Sequence, residues 1–267
     1  MKYILPVLIL LISSASGVSA RTICTLIADA KSGELLLSQG DCSTRVTPAS
    51  TFKIPLALMG FESGYLTGAH APVLPYKAGY PDWGGRNWTQ PTDPQRWMKF
   101  SVVWYSQQLT AALGMAEFQR YTQAFGYGNA DVSGDPGKNN ALERAWISSS
   151  LKIAPIEQIA FLRGLVNGDL PVKPAARDLT LALVEATPAA GGWTIFGKTG
   201  AACPRQADGS FDRARGWGWF VGWAEKGDRT VVFARLNQDE KREKGSAGIR
   251  NKQAFLKAWP ELISSGP

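Results

Sequence analysis

The segments with strand character lie at the two ends of this 267-residue chain, and a long helical stretch separates them. Alternating side chains at 22–37, with a turn near Gly33, predict a β-hairpin. Strand character returns at 193–197, 217–223 and 230–236, where short turns favour antiparallel pairing. One sheet can hold both ends of the chain only if the helical stretch is inserted between its strands.

The helical stretch runs from Ser50 to about Glu185, with apolar residues at helical spacing between breaks at proline and glycine. A last helix is predicted at about 248–259. The predicted fold class is α+β, an antiparallel sheet flanked by helices with an inserted all-helical subdomain. We expect one domain over 21–267, with a sheet subdomain at about 21–48 and 190–267 and a helical subdomain at about 50–186.

The first residues have the layout of a secretory signal peptide: a positive charge at Lys2, an apolar run at 4–12 and small residues at 18–20. A retained membrane anchor is the alternative, but the run is shorter than the roughly 20 residues that cross a bilayer. We expect a signal peptide over 1–20 and cleavage after Ala20, which leaves no membrane association.

Charge and histidine content narrow the chemistry open to this chain. The formal net charge is +7 but the charges are scattered, which argues against nucleic-acid binding and suits an anionic substrate. The single histidine, His70, lies in a turn-forming segment, and there are three cysteines. Zinc hydrolases usually use several His or Cys ligands. A Ser-His-Asp triad would have to use this one histidine, whose setting in a turn favours a surface role. We therefore expect no metal and no catalytic histidine.

Four short motifs occur along the chain, and each alone is common by chance. Their combination and order are more specific than any one of them. They are Ser50-Thr51-Phe52-Lys53, Ser101-Val102-Val103, Tyr127-Gly128-Asn129 and Lys198-Thr199-Gly200.

Ser50 begins an apolar helical run, where free backbone N–H groups and the helix dipole favour developing negative charge. Lys53 lies one turn further along the same face, between apolar neighbours. Burial would lower the pKa of its amine, and a neutral lysine beside a serine can act as a base. The alternative is an N-capping serine followed by a surface lysine.

The Lys198-Thr199-Gly200 motif follows a predicted strand. Lys198 and Thr199 would present donors to a substrate carboxylate, and Gly200 would leave room for the substrate along the strand edge. An ordinary strand end and turn is the alternative.

Ser-x-x-Lys together with Lys-Thr-Gly marks the class A β-lactamases and penicillin-binding proteins. This chain carries Ser101-Val102-Val103 in place of Ser-Asp-Asn, and with its Ser-Thr-Phe-Lys and Tyr-Gly-Asn motifs it resembles the class D, oxacillinase-type serine β-lactamases. The resemblance extends to Trp146-Ile147, residues 218–226 and Ile249-Arg250. It implies a β-lactamase/transpeptidase-like fold, location in the bacterial periplasm and a role in antibiotic resistance.

The same resemblance implies hydrolysis of penicillin-type β-lactams through an acyl-enzyme on Ser50. Lys53 would be N-carboxylated by carbon dioxide, with no other cofactor, and this carbamate would be the general base. Val103 would pack on the carbamate and the Trp146 indole would donate to it, with plain core packing as the alternative for Trp146. Backbone N–H groups of Ser50 and Ala201 would form the oxyanion hole.

The remaining roles also follow from the resemblance. Ser101 would relay a proton to the β-lactam nitrogen, with Lys198 assisting it. Thr199 and Arg250 would hold the substrate carboxylate, although Arg250 could equally be a surface residue of the last helix. The motif that begins at Tyr127 would be structural.

The positions of the three cysteines predict one disulfide bond. Secretion would place the chain in an oxidising compartment, where thiols tend to pair. Cys24 lies in the first predicted strand and Cys42 just after the second, so the hairpin brings them roughly opposite each other. We predict a Cys24–Cys42 disulfide and a free Cys203, with three reduced, buried cysteines as the alternative.

Three rival functions share part of this pattern. A penicillin-binding transpeptidase or carboxypeptidase would be acylated in the same way but would deacylate slowly. A β-lactam-sensing receptor domain would be acylated once and would need a membrane segment to signal through. An esterase would need Gly-x-Ser-x-Gly and a usable histidine, and the sequence has neither. Substrate range and oligomeric state, including a homodimer, stay open.

Overall fold

The computed structural model describes residues 20–264, so the predicted signal peptide lies outside the described residues except for Ala20. The predicted fold class is confirmed, because a six-stranded antiparallel sheet is packed between helices. Between residues 20 and 264, no helix is long and apolar enough to cross a membrane.

The sheet joins the two ends of the chain. Its spatial order is β2-β1-β6-β5-β4-β3, so the N-terminal hairpin pairs with the last strand through β1 and β6. The strands are β1 Arg21–Asp29, β2 Leu35–Gly40, β3 Ala186–Ala189, β4 Trp193–Ala202, β5 Trp217–Lys226 and β6 Arg229–Gln238.

The helices begin where the sequence supplies start signals. Pro155 and Pro174 occupy first-turn positions, and Asp93 caps its helix by accepting a hydrogen bond from the Arg96 N–H at 2.7 Å. The helices are α1 Lys53–Glu62, α2 Pro94–Phe100, α3 Val103–Ala124, α4 Ala141–Arg144, α5 Pro155–Asn167, α6 Pro174–Leu183 and α7 Ala247–Ser264.

Apolar side chains fill both faces of the sheet. On one face α7 packs through Phe255 and Trp259, and the rings of Phe233 and Phe255 stack with their centroids 4.5 Å apart. On the other face α1, α3 and α5 build the larger core. The segment that ends at Ser50 runs across this second face, so the sheet fixes its position.

Two strands differ from the sequence prediction. The edge strand β3 was not predicted, since it is four residues long and contains Pro188, which disfavours strand pairing. Strand β4 continues through Lys198-Thr199-Gly200 to Ala202, whereas we expected it to end at Gly197. Gly200, which suggested a turn, instead lies inside the strand, where the backbone of β4 passes close to Pro48 and Thr51.

The predicted disulfide is confirmed: Cys24 and Cys42 are bonded, with their Cα atoms 5.1 Å apart. Cys24 lies in β1 opposite Gly40, and Cys42 follows β2 directly, so the hairpin brings the two sulfurs together. Cys203 is free and partly exposed.

Candidate active site

Ser50 lies in a tight turn that leads into α1. Residues 49–52 form a 3₁₀ turn with Ala49 at φ +50°, and the α-helix begins only at Lys53. Pro48, not Ser50, occupies the position before the turn, and no side chain caps it. The N-capping alternative for Ser50 is therefore absent, and its partly exposed side chain lines a cavity of about 740 Å³.

Hydrogen bonds fix this turn to distant parts of the chain. The Ala49 N–H donates to the Trp146 carbonyl at 3.0 Å, and the Thr47 hydroxyl donates to the same oxygen at 2.8 Å. The Trp219 indole on β5 donates to the Thr47 carbonyl at 2.9 Å. The position of Ser50 is thus set by both the sheet and the segment around Trp146.

Lys53 is fully buried beneath the turn. Its Nζ atom makes no hydrogen bond with any described residue. Burial holds the pKa of this amine well below its usual range, and the charge of Lys198 lowers it further. An ammonium without partners would be costly here, so the site favours the neutral amine or a chemically modified form.

Aromatic rings enclose the base of the turn. Phe52 stacks on Trp146 with ring centroids 5.8 Å apart, and Phe118 meets Trp146 edge to face at 6.1 Å. Trp146 is only 1% exposed, and Val103, the first residue of α3, is buried and lines the cavity. The predicted apolar surroundings of Lys53 therefore exist, supplied by α3 and the segment before α5.

Ser101 and Lys198 meet at the cavity wall. Ser101 follows α2 with φ at +56°, a left-handed conformation that non-glycine residues seldom adopt. The Lys198 amine donates to the Ser101 hydroxyl at 2.5 Å and to the Thr199 carbonyl at 3.1 Å. Burial lowers the pKa of Lys198 to about 7, although the Glu185 carboxylate acts in the opposite direction.

Strand β4 passes very close to the nucleophile turn. A Cβ atom at Gly200 would lie 2.9 Å from the Pro48 carbonyl oxygen and 3.0 Å from Thr51 Cγ2. The free space at Gly200 thus admits the turn, and its use by a substrate stays a prediction. Thr199 and Ala201 both line the cavity, and Ala201 follows the glycine at the level of Ser50.

The edge of β4 facing the cavity is open. Strand β3 covers β4 only from Trp193 to Phe196, and the Gly197 N–H donates to the Glu185 carbonyl at 3.2 Å. Along 198–202 no described strand pairs with β4 on this side. An extended substrate could lie against that backbone.

The motif that begins at Tyr127 supports the turn from below. Its buried hydroxyl donates to Gln158 Oε1 at 3.4 Å, and Gln158 Nε2 donates to the Thr51 hydroxyl at 3.0 Å. Asn129 donates to the Ser150 carbonyl at 2.9 Å. Gln158 could not be singled out from the sequence, where it looks like any other residue of an amphipathic helix.

Arg250 is not in the cavity. Both oxygens of Asp239 accept from its Nη2 atom, at 2.7 and 2.6 Å, and Nη1 donates to the carbonyls of Lys244 and Gly245. The residue of α7 that lines the cavity with a charge is Lys252. The side chain of Arg250 thus lies away from the predicted site residues that line the cavity, which are Ser50, Ser101, Val103, Lys198, Thr199 and Ala201.

The loop after β4 is anchored beside the site. The Ser148 hydroxyl donates to the Cys203 carbonyl at 2.7 Å, and Arg205 donates to the Ser148 carbonyl at 2.8 Å. Arg205 also pairs with Asp135 at 2.9 Å. Within residues 20–264 there is no group of three or more side chains suited to hold a metal ion.

Residues 23–259 match the family model described as the penicillin binding protein transpeptidase domain. The chain is 44% identical to the β-lactamase OXA-9 of Klebsiella pneumoniae, over 95% of this chain and 93% of that protein. It is 37% identical to β-lactamase OXA-1 of Escherichia coli, over 80% of this chain and 75% of that protein. The crystal structure of the OXA-427 class D β-lactamase superposes with a TM-score of 0.84 at 48% identity, covering 90% and 98% of the two chains.

The chain belongs to the class D β-lactamases. This family membership confirms the resemblance drawn from the four motifs. Three of the motifs contribute residues to one cavity, and the motif that begins at Tyr127 lies beneath the turn at Ser50. In this class D β-lactamase the turn at Ser50, the buried amine of Lys53 and the Ser101–Lys198 pair form one continuous site.

Proposed function

We propose that this protein hydrolyses the β-lactam ring of penicillin-type antibiotics through an acyl-enzyme on Ser50, and so confers resistance to them. One observation carries the proposal: a nucleophile exposed to a cavity stands over a fully buried, unpartnered amine at Lys53. Such an amine is poorly suited to any structural purpose, since a buried polar group without a partner costs free energy. Its natural use is proton transfer with the neighbouring serine.

In the acylation step Ser50 Oγ attacks the lactam carbonyl carbon, a C–O bond forms and the ring C–N bond breaks. The proton of Ser50 passes to the base at Lys53, and the ring nitrogen takes the proton of Ser101. Lys198 donates to the Ser101 oxygen at 2.5 Å and so stabilises the charge left there. The protonated base at Lys53 then gives its proton to Ser101, so that the base is free again. Water attacks the acyl ester carbonyl carbon as this base takes one of its protons, the ester C–O bond breaks, and the proton passes from the base to Ser50 Oγ.

Backbone donors complete the site. We assign the oxyanion hole to the N–H groups of Ser50 and Ala201, which the close approach of β4 to the turn brings to one edge of the cavity. Thr199, on the open edge of β4, is placed to donate to the substrate carboxylate. Val103 supplies an apolar wall.

The residues around Lys53 fit an N-carboxylated lysine. A carbamate on this amine would supply a carboxylate base. Carbon dioxide reacts with a neutral amine, and the buried, orphaned Nζ with its lowered pKa meets that requirement. Trp146 lies against Phe52, the neighbour of Lys53, and we assign its indole N–H as a donor to such a group.

The first test is covalent capture. Ser50→Ala should abolish mass-spectrometric labelling by a penicillin, because no other residue takes its place as nucleophile. Lys53→Ala should retain slow labelling while losing turnover, because the ester then lacks a base for hydrolysis. An active Ser50→Ala enzyme would refute the assignment.

Turnover of a chromogenic cephalosporin separates the rivals. Rapid multiple turnover is expected here, whereas a transpeptidase or a sensor domain would give a single stoichiometric burst. For the carbamate, activity should fall on degassing at mildly acidic pH and return when bicarbonate is added. Activity that does not change when bicarbonate is added would show that Lys53 acts as an unmodified amine.

We also propose the bacterial periplasm as the site of action, with the β-lactam as the small-molecule partner. The N-terminal pattern of charge, apolar run and small residues supports export. The Cys24–Cys42 disulfide supports an oxidising compartment. Fractionation of producing cells, with and without residues 1–20, tests this location.

A further inference from the structure

Ser101 occupies a strained position between two helices. It is the first residue after α2, with φ at +56° and ψ at +37°, and α3 begins two residues later. A serine keeps this left-handed conformation only where its surroundings enforce it. The conformation matters for catalysis, because it sets the direction of the hydroxyl that accepts a hydrogen bond from the Lys198 amine.

The peptide unit between Phe100 and Ser101 is held at both of its polar ends. The Ser101 N–H donates to the Trp97 carbonyl, four residues back in α2. The Phe100 carbonyl accepts from the Trp88 indole N–H at 2.8 Å. A carbonyl at the end of a helix has no partner within the helix, so the indole supplies one. The orientation of this peptide unit thus depends on a side chain outside α2.

Trp88 is itself fixed in place. Its carbonyl accepts from the Trp104 indole of α3 at 2.7 Å, and only 6% of the residue is exposed. Its ring lies directly on Gly84, where a Cβ atom would be 2.1 Å from the ring, and Trp83 covers it with ring centroids 5.3 Å apart. Two indole hydrogen bonds in series therefore join α3 to the carbonyl of Phe100 at the end of α2.

We propose that the Trp88 indole N–H is a positioning group for the proton relay at Ser101. This inference rests on the proposed hydrolase function, in which Ser101 gives its proton to the ring nitrogen during acylation. Without the indole bond the Phe100 carbonyl loses its partner and the peptide unit can rotate, which turns the Ser101 hydroxyl away from the leaving nitrogen. Trp88 also lines the cavity, so a contact between its ring and the substrate is the alternative that a test must separate.

Trp88→Phe removes the N–H and keeps an aromatic ring. Its acylation rate constant at saturating penicillin, from quenched single turnovers read by mass spectrometry, should fall about tenfold, the effect of a displacement of roughly half an ångström. Its deacylation rate constant should stay the same, because the base at Lys53 and not Ser101 activates the water.

Trp259→Phe is the matched control for the smaller ring. Trp259 is fully buried on the other face of the sheet, and its indole N–H makes no hydrogen bond with any described residue. The substitution should therefore leave both rate constants unchanged. Both constants describe folded molecules that react, so partial unfolding of a variant does not imitate the expected result.

A double-mutant cycle separates positioning from substrate contact. In a Ser101→Ala background, Trp88→Phe should slow acylation no further, because no hydroxyl is left to position. A tenfold loss that persists in that background would overturn the proposal, since it would show a ring contact or a packing defect. An unchanged acylation rate constant in Trp88→Phe alone, or an equal fall in deacylation, would overturn it as well. Failure of the hydrolase proposal looks different, because the wild type itself would then form no acyl-enzyme that water releases.

Discussion

Replacement of Gly200 by alanine would test whether the close approach of β4 to the nucleophile turn matters for catalysis. The φ angle of Gly200 is not in the left-handed region, so alanine fits the backbone without strain. Its Cβ atom would nevertheless stand 2.9 Å from the Pro48 carbonyl oxygen, where an ordinary contact needs about 3.4 Å. The turn and the strand must therefore separate by about half an ångström.

That separation widens the gap between the backbone donors of Ser50 and Ala201. A misplacement of about 1 Å can cost a hundredfold in rate, so half of it should cost about tenfold in kcat. Overpacking should also lower the free energy of unfolding by about 1–3 kcal/mol. If Gly200 instead made room for substrate, KM would rise for bulky β-lactams while kcat stayed the same.

The assay is steady-state hydrolysis of a small and a bulky penicillin, with urea unfolding alongside. Gly68→Ala is the matched control, because a Cβ atom at Gly68 meets nothing within 4 Å and its φ is also outside the left-handed region. The reasoning is wrong if Gly200→Ala keeps the wild-type kcat for both substrates. It is equally wrong if the loss of activity equals the fraction of unfolded protein.

Three further predictions follow from single contacts. The pKa of Lys198 is about 7, so its amine is protonated below that pH and kcat/KM should decline as the pH rises through 7. In a pH–rate profile, Lys198→Arg should abolish this decline, because a guanidinium stays protonated. Joint replacement of Cys24 and Cys42, 18 residues apart, by serine should lower the free energy of urea unfolding by about 3 kcal/mol, whereas Cys203→Ser should change it little. Gln158→Met removes a buried amide that joins the nucleophile turn to α5, and calorimetry should show a loss of about 1–3 kcal/mol.

The sequence was sufficient for the fold class, since alternation and helical spacing are strong at both chain ends and in the middle. It was also sufficient for Ser50, Lys53, Ser101 and Lys198 as neighbours, because their motifs are local and their order is specific. The division into sheet and helical subdomains stays a prediction. Motifs could not show that β4 runs on to Ala202, because a glycine in a sequence looks the same in a turn and in a strand.

The sequence does not record side-chain direction. Arg250 was assigned from its place one turn into α7, but the face that a helix turns to its neighbour depends on contacts such as that of Gly248 with Gly200. Glu185 lies at the cavity because β3 begins beside Gly197, and a four-residue edge strand leaves almost no trace in a sequence. Pairings of this kind arise from tertiary packing, which residue patterns do not record.

The strand order has a consequence for how the newly made chain can fold. Strand β1 lies between β2 and β6, so its second edge stays without a partner until residues 229–238 have been synthesised. Trp219, which holds the turn at Ser50, also comes late in the chain. A nascent polypeptide that ends before Arg229 therefore cannot complete its sheet. The two ends of the chain can join only after nearly all of it has been synthesised.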